Sequence, residues 1–330
     1  MSTSPTPPPP SSRTSTEGFP NSLRLERAPL SPKGASLIKY QYDVVLGCPR
    51  SGTTFLMELL NTLPEIESVT GTILPVSIPQ IVNAADLSPA LYDALAVGFE
   101  RALDDYMESG RFRSRAAALQ KWANAPTGRG FLDALRNRRS IERLVYKEPF
   151  LSFAPEFVYY ALPDANIIHI YRDGRDCANS LIRTYDVLSD ENLTHLMGAE
   201  MRLGRQVGDR YVPWWVEQER EEAFLAATPF GRALWMWAYM ARRCDHFFSL
   251  PEVQASGRVM LLRYEDFMQS PAEYGDKILQ HLGLSPTPSF RRRLKTAHTG
   301  SIGKHERRPP SELEEAERIA GPELARYGYL

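Results

Sequence analysis

The stretch Tyr42–Leu56, Tyr-Asp-Val-Val-Leu-Gly-Cys-Pro-Arg-Ser-Gly-Thr-Thr-Phe-Leu, constrains the fold of this chain more than any other segment. An apolar run of strand length meets a tight glycine-containing loop, and an amphipathic helix pattern begins immediately after it. A strand, loop and helix in that order aim several backbone N–H groups and the positive end of a helix dipole at one point. This is how proteins hold phosphate. The loop Gly47–Thr54 has the spacing Gly-x-x-x-x-Gly-Thr-Thr but lacks the lysine that follows the second glycine in nucleotide triphosphatases. Its cation is displaced to Arg50.

Four β-branched runs predict parallel strands: Asp43–Gly47, Leu144–Lys147, Asn166–Tyr171 and Arg258–Tyr264. Helical patterns follow them at Thr53–Thr62, Pro155–Leu162, Arg175–Thr184 and Pro271–Leu282, with Pro155 and Pro271 suited to first helical turns. Strands alternating with helices imply βαβ crossovers, hence an α/β chain whose parallel sheet is covered on both faces. A long insertion, about 71–139, separates the first two strands. Within it Leu91, Leu95, Phe99 and Leu103 recur every fourth residue, which predicts a helix over Ser88–Glu108. A second insertion, 188–225, places Trp214 and Trp215 in a polar setting, and Gly231–Leu250 reads as a core helix through Leu234, Trp237 and Ala241. The simplest organisation is a Pro/Ser-rich disordered tail over 1–36, with its proline cluster Pro7–Pro10, and one domain over 37–330.

Composition narrows the class. A formal net charge of −1 over 330 residues gives no reason to expect nucleic acid or an anionic membrane as partner. Cys48, Cys177 and Cys244 are too scattered for a disulfide framework or a CxxC metal site, as in chains of a reducing compartment. No apolar run reaches the roughly 18 residues of a membrane span. The expectation is a protein of a reducing, cytoplasmic compartment.

The first loop gathers Arg50 and the hydroxyls of Ser51, Thr53 and Thr54 around Gly52. Hydroxyl donors, a guanidinium and free helix N–H groups in one turn favour an anion site over a purely structural turn. With Thr53 where the lysine would stand, and no convincing acid to hold Mg²⁺, the loop suits one phosphate better than a metal-bound triphosphate. A second motif, His169-Ile-Tyr-Arg-Asp-Gly-Arg-Asp-Cys-Ala-Asn-Ser180, follows the third predicted strand. Arg172 at the strand end and Ser180 in the next helix would face the same crevice as the first loop, since ligands gather beyond the carboxyl ends of parallel strands. The other reading is an exposed turn with local ion pairs.

Together these motifs resemble the sulfotransferases that use 3′-phosphoadenosine 5′-phosphosulfate (PAPS). Pro49-Arg-Ser-Gly-Thr-Thr-Phe55 is similar to that family's 5′-phosphosulfate loop, and Tyr171-Arg-Asp-Gly-Arg-Asp with Ser180 to its 3′-phosphate motif. Arg263-Tyr-Glu-Asp-Phe267 is similar to a Tyr-Glu-Asp stretch ending a later strand, and Ser301-Ile-Gly-Lys304 falls where the family has a cofactor-covering loop. The resemblance implies a three-layer, P-loop-type sheet with helical insertions. It implies that Arg50, Ser51, Gly52, Thr53 and Thr54 hold the 5′-phosphosulfate, Arg172 and Ser180 the 3′-phosphate, and Tyr264 the adenine. Phe55 stands where cytosolic relatives stack adenine on tryptophan. Arg50 in place of their lysine points to the broad bacterial and Golgi-like branch. His298-Thr-Gly300 departs from the cytosolic Arg-Lys-Gly pattern, which leaves Ser301, Gly303 and Lys304 as provisional 3′-phosphate ligands.

Sulfuryl transfer by in-line displacement needs cations and N–H donors at the leaving group and a base at the acceptor. PAPS carries no β,γ-phosphate pair to chelate, so the resemblance implies no metal. Arg50 and Lys147 are the candidate cations. Glu148, which stands where relatives place a catalytic histidine, is the candidate base for a hydroxyl or, second to it, an amine. For Glu148 a plain surface pair with Lys147 is an equal reading, and His195 is the fallback base; His169, in mid-strand, reads as a packed core histidine. Two other functions stay open on the residues: a small-molecule kinase on the same sheet, and a non-catalytic anion-binding module.

Overall fold

A computed structural model describes residues 40–71, 77–84, 87–109, 141–185, 188–195 and 204–330. Its strands are β1 (Gln41–Leu46), β2 (Ile66–Thr70), β3 (Arg143–Lys147), β4 (Asn166–Tyr171), β5 (Arg205–Val207), β6 (Arg210–Val212) and β7 (Val259–Arg263). Five of them form one parallel sheet in the order β2-β3-β1-β4-β7. β1 is buried along nearly its whole length because it has neighbours on both sides and helices above and below. That explains its run of consecutive apolar residues.

The sequence pattern points to four strands of this sheet, and the fifth, β2, does not show in it. β2 is an edge strand paired only with β3. Its Glu67 is buried and accepts a hydrogen bond from Tyr106 Oη at 3.1 Å, so an inward position carries a carboxylate where an apolar residue would signal burial. The first insertion accordingly begins after β2, between it and β3.

Two helices of that insertion are described, Ser77–Ala84 and Pro89–Ser109; residues 110–140 and the Pro/Ser-rich tail lie outside the described residues. The longer helix buries Tyr92, Ala96, Phe99, Leu103 and Met107, while Leu91 is half exposed. A strict four-residue ladder rotates about 40° per step around a helix of 3.6 residues per turn, so Leu91 leaves the face that Phe99 and Leu103 share. The second insertion departs from the helical expectation. Between its helices Asp190–His195 and Glu221–Ala226 it carries the antiparallel hairpin β5–β6. Its tryptophans, polar in their sequence neighbourhood, pack the insertion onto the core. Trp215 is buried on Phe224, and Trp214 packs 5.1 Å from Phe153.

Helices cover both faces of the sheet. Pro89–Ser109 and Pro155–Ala161 contribute to the core on one face, Thr53–Leu60 and Pro271–Leu282 to that on the other. Pro229–Phe248 packs across Gly174–Tyr185 and Pro310–Arg326 as the centre of a third cluster. Among the described residues no helix is long and apolar enough to cross a membrane.

Candidate active site

β1 is where the strand order switches, with later strands added on opposite sides of it, so a crevice opens beyond its carboxyl end. The loop after β1 is shaped by sterics. A Cβ on Gly47 would lie 2.3 Å from the Ile170 carbonyl oxygen, and one on Gly52 would lie 2.5 Å from the Tyr264 ring. Gly52 also has φ 104°, and Arg50 is held left-handed at φ 74°, a costly conformation for a side-chain-bearing residue. Ser51 N–H donates to the Cys48 carbonyl at 3.0 Å and closes the turn.

The helix Thr53–Leu60 then starts at Gly52 with no side-chain cap. Its first N–H groups have no intrahelical acceptor. Ser51 Oγ is fully buried and has no hydrogen-bond partner among the described residues. An orphaned hydroxyl beside uncapped N–H donors fits a bound anionic group such as a phosphate or sulfate ester.

Two cations flank this cradle. Arg50 Nε donates to Ser180 Oγ at 2.9 Å, and its guanidinium lies 5.8 Å from the exposed Tyr185 ring. Lys147, at the end of β3, donates from Nζ to Thr54 Oγ1 at 3.2 Å. Burial holds the Lys147 ammonium below the usual lysine range; the charges of Glu148 and Glu58 oppose that shift and the charge of Arg50 adds to it. Glu148 is buried and caps the 3₁₀ turn Pro149–Phe153 by accepting from Phe150 N–H at 3.1 Å. It therefore has a structural task beside any chemical one.

The Arg-Asp-Gly-Arg-Asp motif is not an exposed turn: Arg172, Asp173 and Asp176 are all buried. Arg172 donates to the Arg50 carbonyl at 3.3 Å, to Asp176 at 3.1 Å and to the Ser301 carbonyl at 2.5 Å, and lies 4.5 Å from the Tyr264 ring centre. Tyr264 Oη and Ser301 Oγ are hydrogen-bonded at 2.8 Å. Asp176 also accepts from Gly303 N–H at 2.8 Å and from the amide and ring Nδ1–H of His305, each at 3.0 Å. Burial alone would raise its carboxyl; the His305 ring, the Arg172 charge and the two amides outweigh it and pull it down to about 2. His169 is buried against Phe248, and desolvation lowers its ring to about 3, which suits a neutral core histidine.

The loop, the ends of β3 and β4, Tyr264 and the 301–304 segment thus meet at one edge of the sheet. Ser180, Arg172, Ser301 and Lys304 line a cavity of about 270 Å³ there, together with Arg183 and Thr184. In this structure Gly303 N–H serves Asp176, and the Ser301 carbonyl serves Arg172. Phe55 lies with the opposite cluster, 5.8 Å from Phe267 and 5.0 Å from the Arg293 guanidinium. Sequence reasoning passed over Asp176, Arg183 and His305. Arg183 falls three residues after Ser180 in the helix Gly174–Tyr185, a spacing that shares a helix face and was a usable signal, while Asp176 lies in the first turn of that helix, four residues after Arg172 at the strand end. Nothing local marks His305, whose partner is 129 residues away.

A family model described as the sulfotransferase family matches residues 44–288. Among solved structures, the chain is similar to the sulfotransferase domain of the Synechococcus PCC 7002 olefin synthase, at 17% identity over 86% of this chain and 95% of that one, with a TM-score of 0.43. It is similar to the sulfotransferase domain from the curacin biosynthetic pathway, at 14% identity over 88% and 98%, TM-score 0.46. A third likeness is to sulfotransferase STF9 from Mycobacterium avium, at 16% identity over 88% and 78%, TM-score 0.45. No curated protein matches the chain in sequence.

Proposed function

The chain belongs to the sulfotransferase family, and on that premise we propose that it moves a sulfuryl group from PAPS to a hydroxyl, or secondarily an amine, of a small-molecule, lipid or glycoside acceptor. The observation that carries this reading is the cradle itself: uncapped helix N–H groups, the orphaned Ser51 hydroxyl, and Arg50 and Lys147 on its two sides. PAPS, when bound, supplies a sulfuryl group on a phosphate leaving group. The acceptor oxygen forms the new bond to sulfur while the sulfur–oxygen bond to phosphate breaks and its electron pair stays on the phosphate.

The residues then have distinct tasks. The loop N–H groups and the hydroxyls of Ser51, Thr53 and Thr54 orient the 5′ end, and Arg50 and Lys147 stabilise the charge that builds on the leaving oxygen. Tyr264, fixed between Gly52, Arg172 and Ser301, closes the nucleotide side. Glu148, which also caps the 3₁₀ turn, takes the acceptor proton. Ser301–Lys304 lies beyond the span matched by the family model, so its part rests on the cavity it lines with Ser180. Cys48, Cys177 and Cys244 are free and buried, in keeping with a reducing, cytoplasmic setting.

Thermal melting separates the donors. Adenosine 3′,5′-bisphosphate without Mg²⁺ raises the melting temperature under this reading. Stabilisation by Mg-ATP alone would assign the cradle to a kinase, and nucleotide binding with no turnover over a broad acceptor panel would assign it to a binding module.

A further inference from the structure

Lys147 and Glu148 are neighbours in the chain, yet their side chains serve different sides of the site. β3 ends at Lys147, and Glu148 continues its extended course at φ −141° and ψ 102°. Side chains of successive extended residues leave on opposite faces. Lys147 turns to Thr54 in the donor cradle, while the Glu148 carboxylate turns to the end of β2.

The residue that meets it there is Gly71. Its N–H donates to the Lys147 carbonyl at 3.2 Å, which carries the β2–β3 pairing one residue past Thr70. A Cβ on Gly71 would lie 2.9 Å from Glu148 Oε2 and, its chain neighbours aside, within 4 Å of no other heavy atom among the described residues. The left-handed φ of 56° favours glycine, but asparagine or aspartate also adopts it. The close approach of Oε2 is stricter, because it excludes any side chain. Glu148 is thus bounded from two directions: Oε1 accepts from Phe150 N–H, and Oε2 lies where a Gly71 side chain would begin. Glu148 is buried, whereas Gly71 is exposed.

We propose that Gly71 is a positioning residue for the acceptor side of the reaction. Its missing side chain keeps the approach to Glu148 Oε2 open, so an acceptor hydroxyl reaches the carboxylate past the end of β2 while the donor is held on the Lys147 side. The assignment rests on the sulfuryl-transfer reading with Glu148 as base. In that step the acceptor proton passes to Glu148 and the acceptor oxygen bonds to sulfur. The sulfur–oxygen bond to phosphate breaks, and its electron pair stays on the phosphate. A methyl at Gly71 meets only the far end of a side chain that can turn, so it displaces the carboxylate and leaves the sheet in place.

Release of adenosine 3′,5′-bisphosphate from PAPS, with a panel of phenols and alcohols and with water alone as acceptor, tests it in a double-mutant cycle. Gly71→Ala lowers kcat roughly 10-fold or more, because moving a reacting group by about 1 Å can cost about 10²-fold. It leaves the affinity for adenosine 3′,5′-bisphosphate unchanged. In a Glu148→Gln background the same change has no further effect, since no base remains to be displaced. Backbone strain or any other purely structural effect would lower both backgrounds alike. Wild-type turnover in Gly71→Ala, an equal loss in both backgrounds, or weakened nucleotide binding overturns the assignment. So does a Gly71→Ala protein whose melting shows that it does not fold, since the methyl would then meet more than the carboxylate. Unchanged turnover in Glu148→Gln alone overturns the base reading and the Gly71 role with it. A wild type that releases no product with any acceptor overturns the sulfuryl-transfer reading itself.

Discussion

Replacing Asp176 with Asn removes the carboxylate that hydrogen-bonds both Arg172 and the 301–305 segment. One carboxylate oxygen accepts from Arg172 and Gly303 N–H, the other from the amide and ring of His305. An Asn amide keeps one acceptor and turns the other into a donor. Turned toward Arg172 and Gly303 its NH₂ faces two donors; turned toward His305 it faces the amide donor, and the ring can accept from it only by changing tautomer. The shift of the Asp176 carboxyl from its ordinary 3.8 to about 2 gives an independent measure of what is lost. At about 1.4 kcal/mol per pKa unit it corresponds to roughly 2–3 kcal/mol of native-state stability at neutral pH. The folded value lies below the unfolded one, so this contribution is complete above about pH 4 and is lost as pH falls through about 2. Facing donors against donors adds about 1 kcal/mol or more. Urea unfolding at pH 7 is thus expected to show a loss of about 3–4 kcal/mol, or about 4–6 °C in melting temperature for a chain of this size. Hydrogen exchange localises the effect, with the Gly303 and His305 amides losing protection first. A stability loss under 1 kcal/mol with unchanged protection at both amides would refute the role given to Asp176.

Three further outcomes follow from the site. Glu148→Gln keeps an acceptor for the Phe150 amide, so the melting temperature holds while turnover falls roughly 10²-fold; unchanged turnover would leave Glu148 as a cap only. The Lys147 ammonium is depressed by burial, so turnover declines on the alkaline side at a lower pH than an ordinary lysine would give, and an identical alkaline limb in Lys147→Gln would sink the assignment. The sign for stability is opposite: a depressed lysine costs stability at neutral pH, and that cost is relieved as pH rises through its folded value. Gly52→Ala must place a Cβ against the Tyr264 ring at φ 104°, costing about 1–3 kcal/mol from the backbone alone and moving Tyr264 off Arg172; near-wild-type stability and nucleotide affinity would contradict that geometry.

What could be read along the chain was local. β4 and the helix Pro271–Leu282 have the bounds their patterns predict, because an uninterrupted apolar run and a Pro at the first helical turn act over a few residues. β2 was hidden because its inward Glu67 is satisfied by Tyr106, 39 residues away. The ladder from Leu91 named the right helix and only part of its buried face. The hairpin β5–β6 gave no signal, since two three-residue strands carry too little alternation to read. Trp214 and Trp215 were residues whose surroundings lie elsewhere in the chain: one packs on Phe153, the other on Phe153 and Phe224.

The site divides the same way. The Gly47–Thr54 stretch alone points to an anion cradle, because the N–H groups of a helix start are local, whereas the contacts that exclude a side chain at Gly47 and Gly52 come from Ile170 and Tyr264, far along the chain. Only the tertiary structure decides which cations serve it. Arg50 meets Ser180 across 130 positions, and Arg172 meets Ser301 across 129. Asp176 neutralises Arg172 while Arg183, one helical turn beyond Ser180, has no hydrogen-bond or ion-pair partner among the described residues. A charge is available or spent according to its nearest opposite charge in space, and the chain path that brings that neighbour close is set by the packing of the whole sheet.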